Sequence, residues 1–120
     1  MPLRDEIPAF SRDLLDLVAR RLRAIAEPTR MQIVSFLQAG GSTVQELTDR
    51  LEAGAAPVNH QNVSKHLAVL HREGVVSRRR EGSNVRYALA DYTVWPLIEQ
   101  AAASTAAHLE ELAEIAKPAV

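Results

Sequence analysis

Apolar residues recur at helical spacing in five stretches of the chain and form two short β-rich runs in one. From Ser11, a side chain suited to capping, to about Ala26, the positions Leu14, Leu17, Val18, Leu22 and Ile25 form one stripe that Leu15 widens. Glu27 and Pro28 interrupt it and begin a second helix, Pro28 to Ala39, since proline is tolerated in a first turn; Ile33, Val34, Phe36 and Leu37 are its core residues and Gly40 closes it. Thr43 to Glu46 has the form T-x-x-E, a capping box that opens a short third helix, Val44 to about Glu52, buried through Val44, Leu47 and Leu51. After a turn over residues 53–58, Asn59 caps a fourth helix with Val63, Leu67 and Leu70 inward and Val69 beside them, and Gly74 ends it. Val75–Arg80 and Val85–Leu89, joined by the turn-forming set Glu81, Gly82, Ser83 and Asn84, predict a hairpin. A last helix, capped by Asp91 or Thr93 and carrying Pro96 in or near its first turn, runs to about Ala116 before Pro118, with Leu97, Ala101, Leu109, Leu112 and Ile115 on its apolar side.

The outward side of the fourth helix is hydrophilic. Gln61, Ser64, Lys65 and Arg72 are hydrogen-bonding or cationic groups of the kind that read base edges or hold phosphates. The hairpin adds Arg78, Arg79, Arg80 and Arg86. Helix, helix, short helix, turn, exposed helix, basic hairpin, helix is the order of a winged helix-turn-helix: mainly α, with a small β wing and an added C-terminal helix. The expected layout is a short flexible tail over residues 1–10 and one domain over 11–120, with the helix-turn-helix at 43–73 and the wing at 75–89.

Composition sharpens this reading. A chain of 120 residues with 47% hydrophobic residues is long enough for one modest core, filled by aliphatic side chains because aromatics make up 4%. No apolar run approaches the roughly 18 residues a membrane span needs, and Arg4, Asp5 and Glu6 do not fit a signal peptide, so a cytoplasmic location without membrane contact is expected. The chain has no cysteine, which removes disulfides, thiolate ligands and thiol sensing. The net charge of −1 hides an asymmetry: between His60 and Arg86 stand six Lys or Arg and two acids, whereas from Tyr87 onward there is one Lys against five acids. A local basic surface on a near-neutral molecule suits nucleic acid. A cysteine nucleophile, a Gly-rich phosphate loop and H-E-x-x-H are all missing from the sequence, so an enzyme is not expected.

Two segments carry a residue-level likeness. LRAIAEPTRMQIVSFL (residues 22–37) and VSKHLAVLHREGVVSRRREGSNVRY (residues 63–87) resemble the ArsR/SmtB family of bacterial transcriptional regulators, whose members show L-A-D/E-P-T-R, then V-S-x-H-L, then R-R-E-G-x-x-V-x-Y in that order. The resemblance implies a homodimer assembled from the first and last helices (11–26 and 91–117), with Leu14, Leu17, Leu97, Ala101, Leu109 and Leu112 at its interface. It further implies binding to an imperfect palindrome in double-stranded DNA, and repression of the protein's own operon. The family's groove-facing positions fall on His60, Gln61, Asn62, Ser64 and Lys65, with Arg79, Arg80 and Arg86 in or near the wing. One departure from the family pattern is the stretch Glu52 to Val58, which lengthens the turn or extends the third helix.

The family's metal sites can be sought in the same way. Thr43, Val44 and Gln45 stand where a C-V-C thiolate motif would be. Of the motif D-x-H on the last helix Asp91 is present but Thr93 replaces the histidine, and His108 with Glu111 forms H-x-x-E about a turn later than the family spacing. Asp91, His108 and Glu111 are thus weak candidates for nickel or zinc. His66 falls in V-S-x-H-L, where a structural role fits better than a ligand. The competing functions are a nickel- or zinc-responsive member of the family and a winged-helix module that binds an acidic protein surface.

Overall fold

A computed structural model describes residues 9–117 of the chain. The tail expected over 1–10, apart from Ala9 and Phe10, and the stop expected at Pro118 lie outside these residues. Helix α1 (Arg12–Ile25) begins where Ser11 Oγ accepts the N–H of Leu14. Helix α2 (Pro28–Leu37) starts at Glu27, whose carboxylate accepts the N–H of Arg30 at 2.8 Å. It stops two residues short of the expected Ala39, as Gln38, Ala39 and Gly40 bond back to the last carbonyls of the helix and Gly40 turns the chain at φ +134°.

Burial works against ionisation of Glu27, but the N–H groups of Arg30 and Thr29, with His66 and Arg30 nearby, outweigh it and hold the carboxyl below its ordinary value of 4.5. A depressed carboxyl adds stability that is complete above the unfolded value and fades as pH falls through the folded one. Glu27→Gln should therefore cost about 1 kcal/mol in urea unfolding at pH 7. The difference from the unsubstituted protein should shrink below the ordinary value of 4.5. An undiminished difference at pH 3 would assign the loss to something other than the charge.

Ser42 and Thr43 form a two-residue strand, β1, that the sequence reading did not anticipate. Thr43 also caps α3 (Val44–Ala53), accepting the N–H of Glu46, as expected. The second half of the capping box differs, because the Glu46 carboxylate accepts from the Thr43 hydroxyl at 3.1 Å instead of reaching the backbone. Val44, expected to be buried, is half-buried, as is Phe36 at the edge of the core; Arg50 lies over the Phe36 ring, 4.2 Å from its centre.

The extra residues after Leu51 lengthen the turn and leave α3 nearly unchanged. Residues 54–59 separate α3 from α4 (His60–Arg72). The helix ends in paired bonds, from Ala55 N–H to the Glu52 carbonyl and from Ala56 N–H to the Leu51 carbonyl, with Ala55 at φ +62° in a position that favours glycine. The same closure ends α4, from Gly74 to His71 and from Val75 to Leu70, and there the left-handed residue is the expected glycine, at φ +72°.

Strands β2 (Val76–Glu81) and β3 (Asn84–Leu89) make the hairpin, paired from Val76↔Leu89 to Glu81↔Asn84, and β1 joins on the far side of β3 through Ser42↔Tyr87 and Thr43↔Arg86. The sheet order is β1-β3-β2. Gly82, at φ +63°, is the first of two central turn residues, where a tight II′ hairpin requires glycine. Helix α5 (Val94–Ile115) follows. Of the two expected caps, Thr93 holds the N-cap position but makes no side-chain cap bond, and Asp91 accepts from the N–H and hydroxyl of Thr93 and from no N–H within the helix.

The core collects Ile33, Val34 and Leu37 of α2, Leu47 and Leu51 of α3, Val63, Leu67 and Leu70 of α4, and Tyr87 and Leu89 of β3. Helices α1 and α5 contribute little: α1 buries Ala24 and Ile25, and α5 buries Val94 and Ile98. Their apolar stripes stay open. Leu14, Leu17, Leu97, Leu109 and Leu112 are all exposed large hydrophobics, Leu17 at 60%.

Candidate DNA-binding surface

Helix α4 is positioned by its own amphipathicity. Val63, Leu67 and Leu70 are completely buried, which fixes the rotation of the helix and turns Gln61, Lys65, Ala68 and Arg72 outward as one exposed stripe. At its start Asn59 accepts the N–H of Asn62 at 2.8 Å and caps the first turn, and His60, Gln61 and Asn62 are exposed at its tip. Ser64 is half-buried at the margin of the stripe. The exposed helix start also presents the positive end of the helix dipole, which favours a phosphate approaching from that side.

The wing comes to this helix start. A groove of about 260 Å³ is lined by His60 of α4, Thr43, Val44 and Gln45 at the start of α3, and Ser83, Asn84 and Val85 at the hairpin tip. Strand register then sorts the arginines. Arg78 faces Tyr87 and Arg80 faces Val85 across the ladder, so both leave the sheet on the face that carries Val85 and hence the groove. Arg79 pairs with Arg86 and leaves on the opposite face, where the two line a separate hollow with Gly41, Ser77 and Ala88.

Of the sequence-derived set, His60 lines the groove, Gln61, Asn62 and Lys65 are exposed on α4, and Arg80 leaves the wing on the face of Val85, whereas Arg79 and Arg86 leave on the other face. Arg86 is moreover engaged: its guanidinium donates to Glu81 at 3.1 Å and to the Gly41 carbonyl at 2.8 Å, and lies 3.5 Å from Glu46. A phosphate approaching Arg86 would have to displace these partners. A Cβ on Gly41 would come within 3.2 Å of the Arg86 stem and the Tyr87 carbonyl, which accounts for glycine there.

The metal candidates are not assembled within the chain. Both Asp91 oxygens are committed, one to Thr93 and the other to Arg21. The hydroxyl and N–H of Thr93, together with Arg21, outweigh burial and hold this carboxyl below its usual range. His108 lies fourteen residues past the start of α5, roughly 20 Å along the axis, so Asp91 cannot meet His108 and Glu111 in one subunit. No group of three or more His, Asp or Glu side chains gathers in ligating geometry among the described residues. Within one subunit this set does not make a metal site. His66 is structural, as expected: Arg30 donates to its Nδ1 at 3.2 Å, and a guanidinium can only donate.

Comparison with known proteins agrees with this geometry. Residues 25–79 match the profile of a family described as a helix-turn-helix domain. The HTH-type transcriptional repressor SmtB of Mycobacterium tuberculosis is 37% identical over 102 residues, spanning 82% of this chain and 72% of that protein. The chain belongs to the ArsR/SmtB family. That family consists of DNA-binding transcriptional regulators and not enzymes, and the α4–wing surface is where a winged helix-turn-helix meets DNA. Another ArsR/SmtB relative, the transcriptional activator HlyU of Vibrio cholerae, is 37% identical over 78 residues, covering 65% of this chain and 68% of HlyU. Among solved structures, a homodimeric winged helix-turn-helix DNA-binding domain from Mycobacterium bovis aligns with a TM-score of 0.66 at 31% identity, over 88% of this chain and 94% of that one.

Sequence reasoning overlooked the groove partners Ser83 and Asn84, read only as turn residues, and a cluster of arginines on α1 and α2. The run Arg20, Arg21, Arg23 was visible as a signal, but its meaning depends on which side of α1 meets α4.

Proposed function

We propose that this regulator acts in the bacterial cytoplasm as a homodimer that binds an imperfect palindromic operator and represses its own operon. The observation that carries the reading is the shared groove of the α4 tip and the wing tip, which puts His60 beside Ser83 and Asn84. His60, Gln61, Asn62 and Ser64 read base edges in the major groove, and Lys65 and Arg80 hold backbone phosphates. Arg79 reaches the backbone from the outer face of the wing. Arg86 supports the wing from behind and contributes charge indirectly. The open apolar stripes of α1 and α5 supply the contact between subunits; among these, Leu14, Leu17, Leu97, Ala101, Leu109 and Leu112 face the partner. Repression is favoured by the likeness to SmtB, whose own name is that of a repressor.

The two other readings are less well supported. A nickel- or zinc-responsive form would need ligands completed across the dimer, since His108 and Glu111 offer only two and Asp91 is held by Thr93 and Arg21. A protein-binding winged helix would not need a row of hydrogen-bonding side chains on α4.

Binding should be measured by fluorescence anisotropy on a duplex selected from a random pool, across a series of salt concentrations. Lys65→Ala and Arg80→Ala each should lower affinity for every duplex and reduce the log–log salt slope by about one. Gln61→Ala should leave the slope intact and relax preference at particular bases, with a loss of roughly 1–3 kcal/mol on the selected site. A slope near zero in the unsubstituted protein would favour the protein-interaction module over DNA.

A further inference from the structure

A second basic hollow lies at the other end of α4. Arg20, Arg23 and Ala24 of α1, Arg30 of α2, and Val69, Arg72 and Glu73 at the end of α4 line a cleft of about 300 Å³, where four arginines against one glutamate leave a net charge of +3. Two of the arginines are fixed in place. Arg20 is bonded to Glu73, and Arg30 donates to the Ala24 carbonyl at 2.5 Å, to the Arg23 carbonyl at 3.4 Å and to His66. Arg23 and Arg72 are exposed, and among the described residues neither side chain has a hydrogen-bond or ion-pair partner. Four guanidiniums around one hollow with a single carboxylate make a positive field that favours an anion.

We propose that this cleft is a phosphate-group site, distinct from the α4–wing groove. Guanidinium forks match the oxygens of a phosphate better than they match a point acceptor, and fixed forks lose less entropy on binding. Continuity with the outward stripe makes the backbone of the bound duplex the first source of that phosphate, which rests on the DNA-binding reading above. Arg72 is the last member of the stripe that starts at Gln61, eleven residues earlier and thus roughly 16 Å away along the helix. The major groove is about 12 Å wide. With the tip of α4 seated in the groove, Arg72 lies past its edge, and the cleft behind it faces the flanking strand. The second source is a free phosphorylated small molecule that enters the same cleft in the absence of DNA.

The test uses the double variant Arg23→Ala/Arg72→Ala, whose substituted side chains bear no bond that the fold depends on, so its circular dichroism should match that of the unsubstituted protein. In one arm, the salt dependence of affinity is measured on the selected duplex; the log–log slope should fall by about two, with base preference unchanged. In the other, DNA-free protein is heated with millimolar inorganic pyrophosphate, and any rise in melting temperature should vanish in the double variant. A loss in the first arm assigns the cleft to backbone phosphates, and a loss in the second alone assigns it to a free phosphorylated ligand. Loss in neither arm overturns the proposal. If Lys65→Ala lowers the salt slope while the double variant does not, the α4–wing surface survives and the flanking contact fails; if Lys65→Ala also leaves the slope unchanged, the DNA-binding reading itself is at fault.

Discussion

Leu112→Glu is expected to convert the protein to monomers in multi-angle light scattering at micromolar concentration, and with that to abolish tight binding to a two-half-site operator. Leu112 is 47% exposed in the single chain, beside Leu109 at 59% and Ile115 at 80% on α5. Helix α1 adds Leu14, Leu17 and Leu22, none of which enters the core. Two open apolar stripes of this size on one small molecule are the mark of an interface. Two-fold symmetry places the substitution in the contact twice. A carboxylate buried without a partner costs about 3 kcal/mol or more, so two raise the dimer dissociation constant by a factor on the order of 10⁴. Leu112 makes no part of the single-chain core, so helical content should be preserved; Ala101→Glu should act in the same way. A dimer that persists in either variant would move the interface elsewhere.

Leu67→Ala has the largest expected effect on the fold. The residue is completely buried between Val63 and Leu70 on the inner face of α4, among side chains from α2, α3 and the sheet. Truncation removes transfer energy and leaves a cavity that these neighbours cannot close, for a loss of about 2–5 kcal/mol. For a domain of this size that corresponds to a fall in melting temperature on the order of 10–20 °C, measured at one fixed protein concentration because the proposed dimerisation would be linked to unfolding. Since Leu67 sets the seat of α4, DNA affinity should drop even at temperatures where the variant is folded. Lys65→Ala, two residues away on the opposite side, should leave the melting temperature within a degree or two. A stability loss below about 1 kcal/mol for Leu67→Ala would contradict the packing described.

These contrasts show what kind of information the chain displays openly. Caps at Ser11, Thr43 and Asn59 were legible because each depends on one side chain and a backbone N–H three residues on. The end of α4 was legible because only Gly74 suited its left-handed position. The end of α3 was not, since Ala55 takes that position although Gly54 stands next to it, and the paired carbonyl bonds with the packing of Leu51 decide the conformation. Strand β1 is two residues long and has no period to read; its existence depends on β3 passing alongside. The exposed side of α4 followed from helical period alone. The role of Arg86 did not, because its partners Gly41 and Glu46 are remote in sequence and become neighbours only after the sheet forms. For the same reason the candidate site was legible as a list of residue types, and its division into two faces of the wing was not.

The pairing of β1 with β3, reinforced by Arg86 reaching from the hairpin to Gly41 and Glu46, ties the wing to the start of α3 and through it to α4. Tip and helix therefore travel together, like two prongs of one fork. A signal that loosens such a protein from its operator has little to gain by bending either prong. In the proposed homodimer its leverage would lie in the contact between the two forks, where a small tilt changes their separation and puts one of them out of step with the helical repeat of DNA.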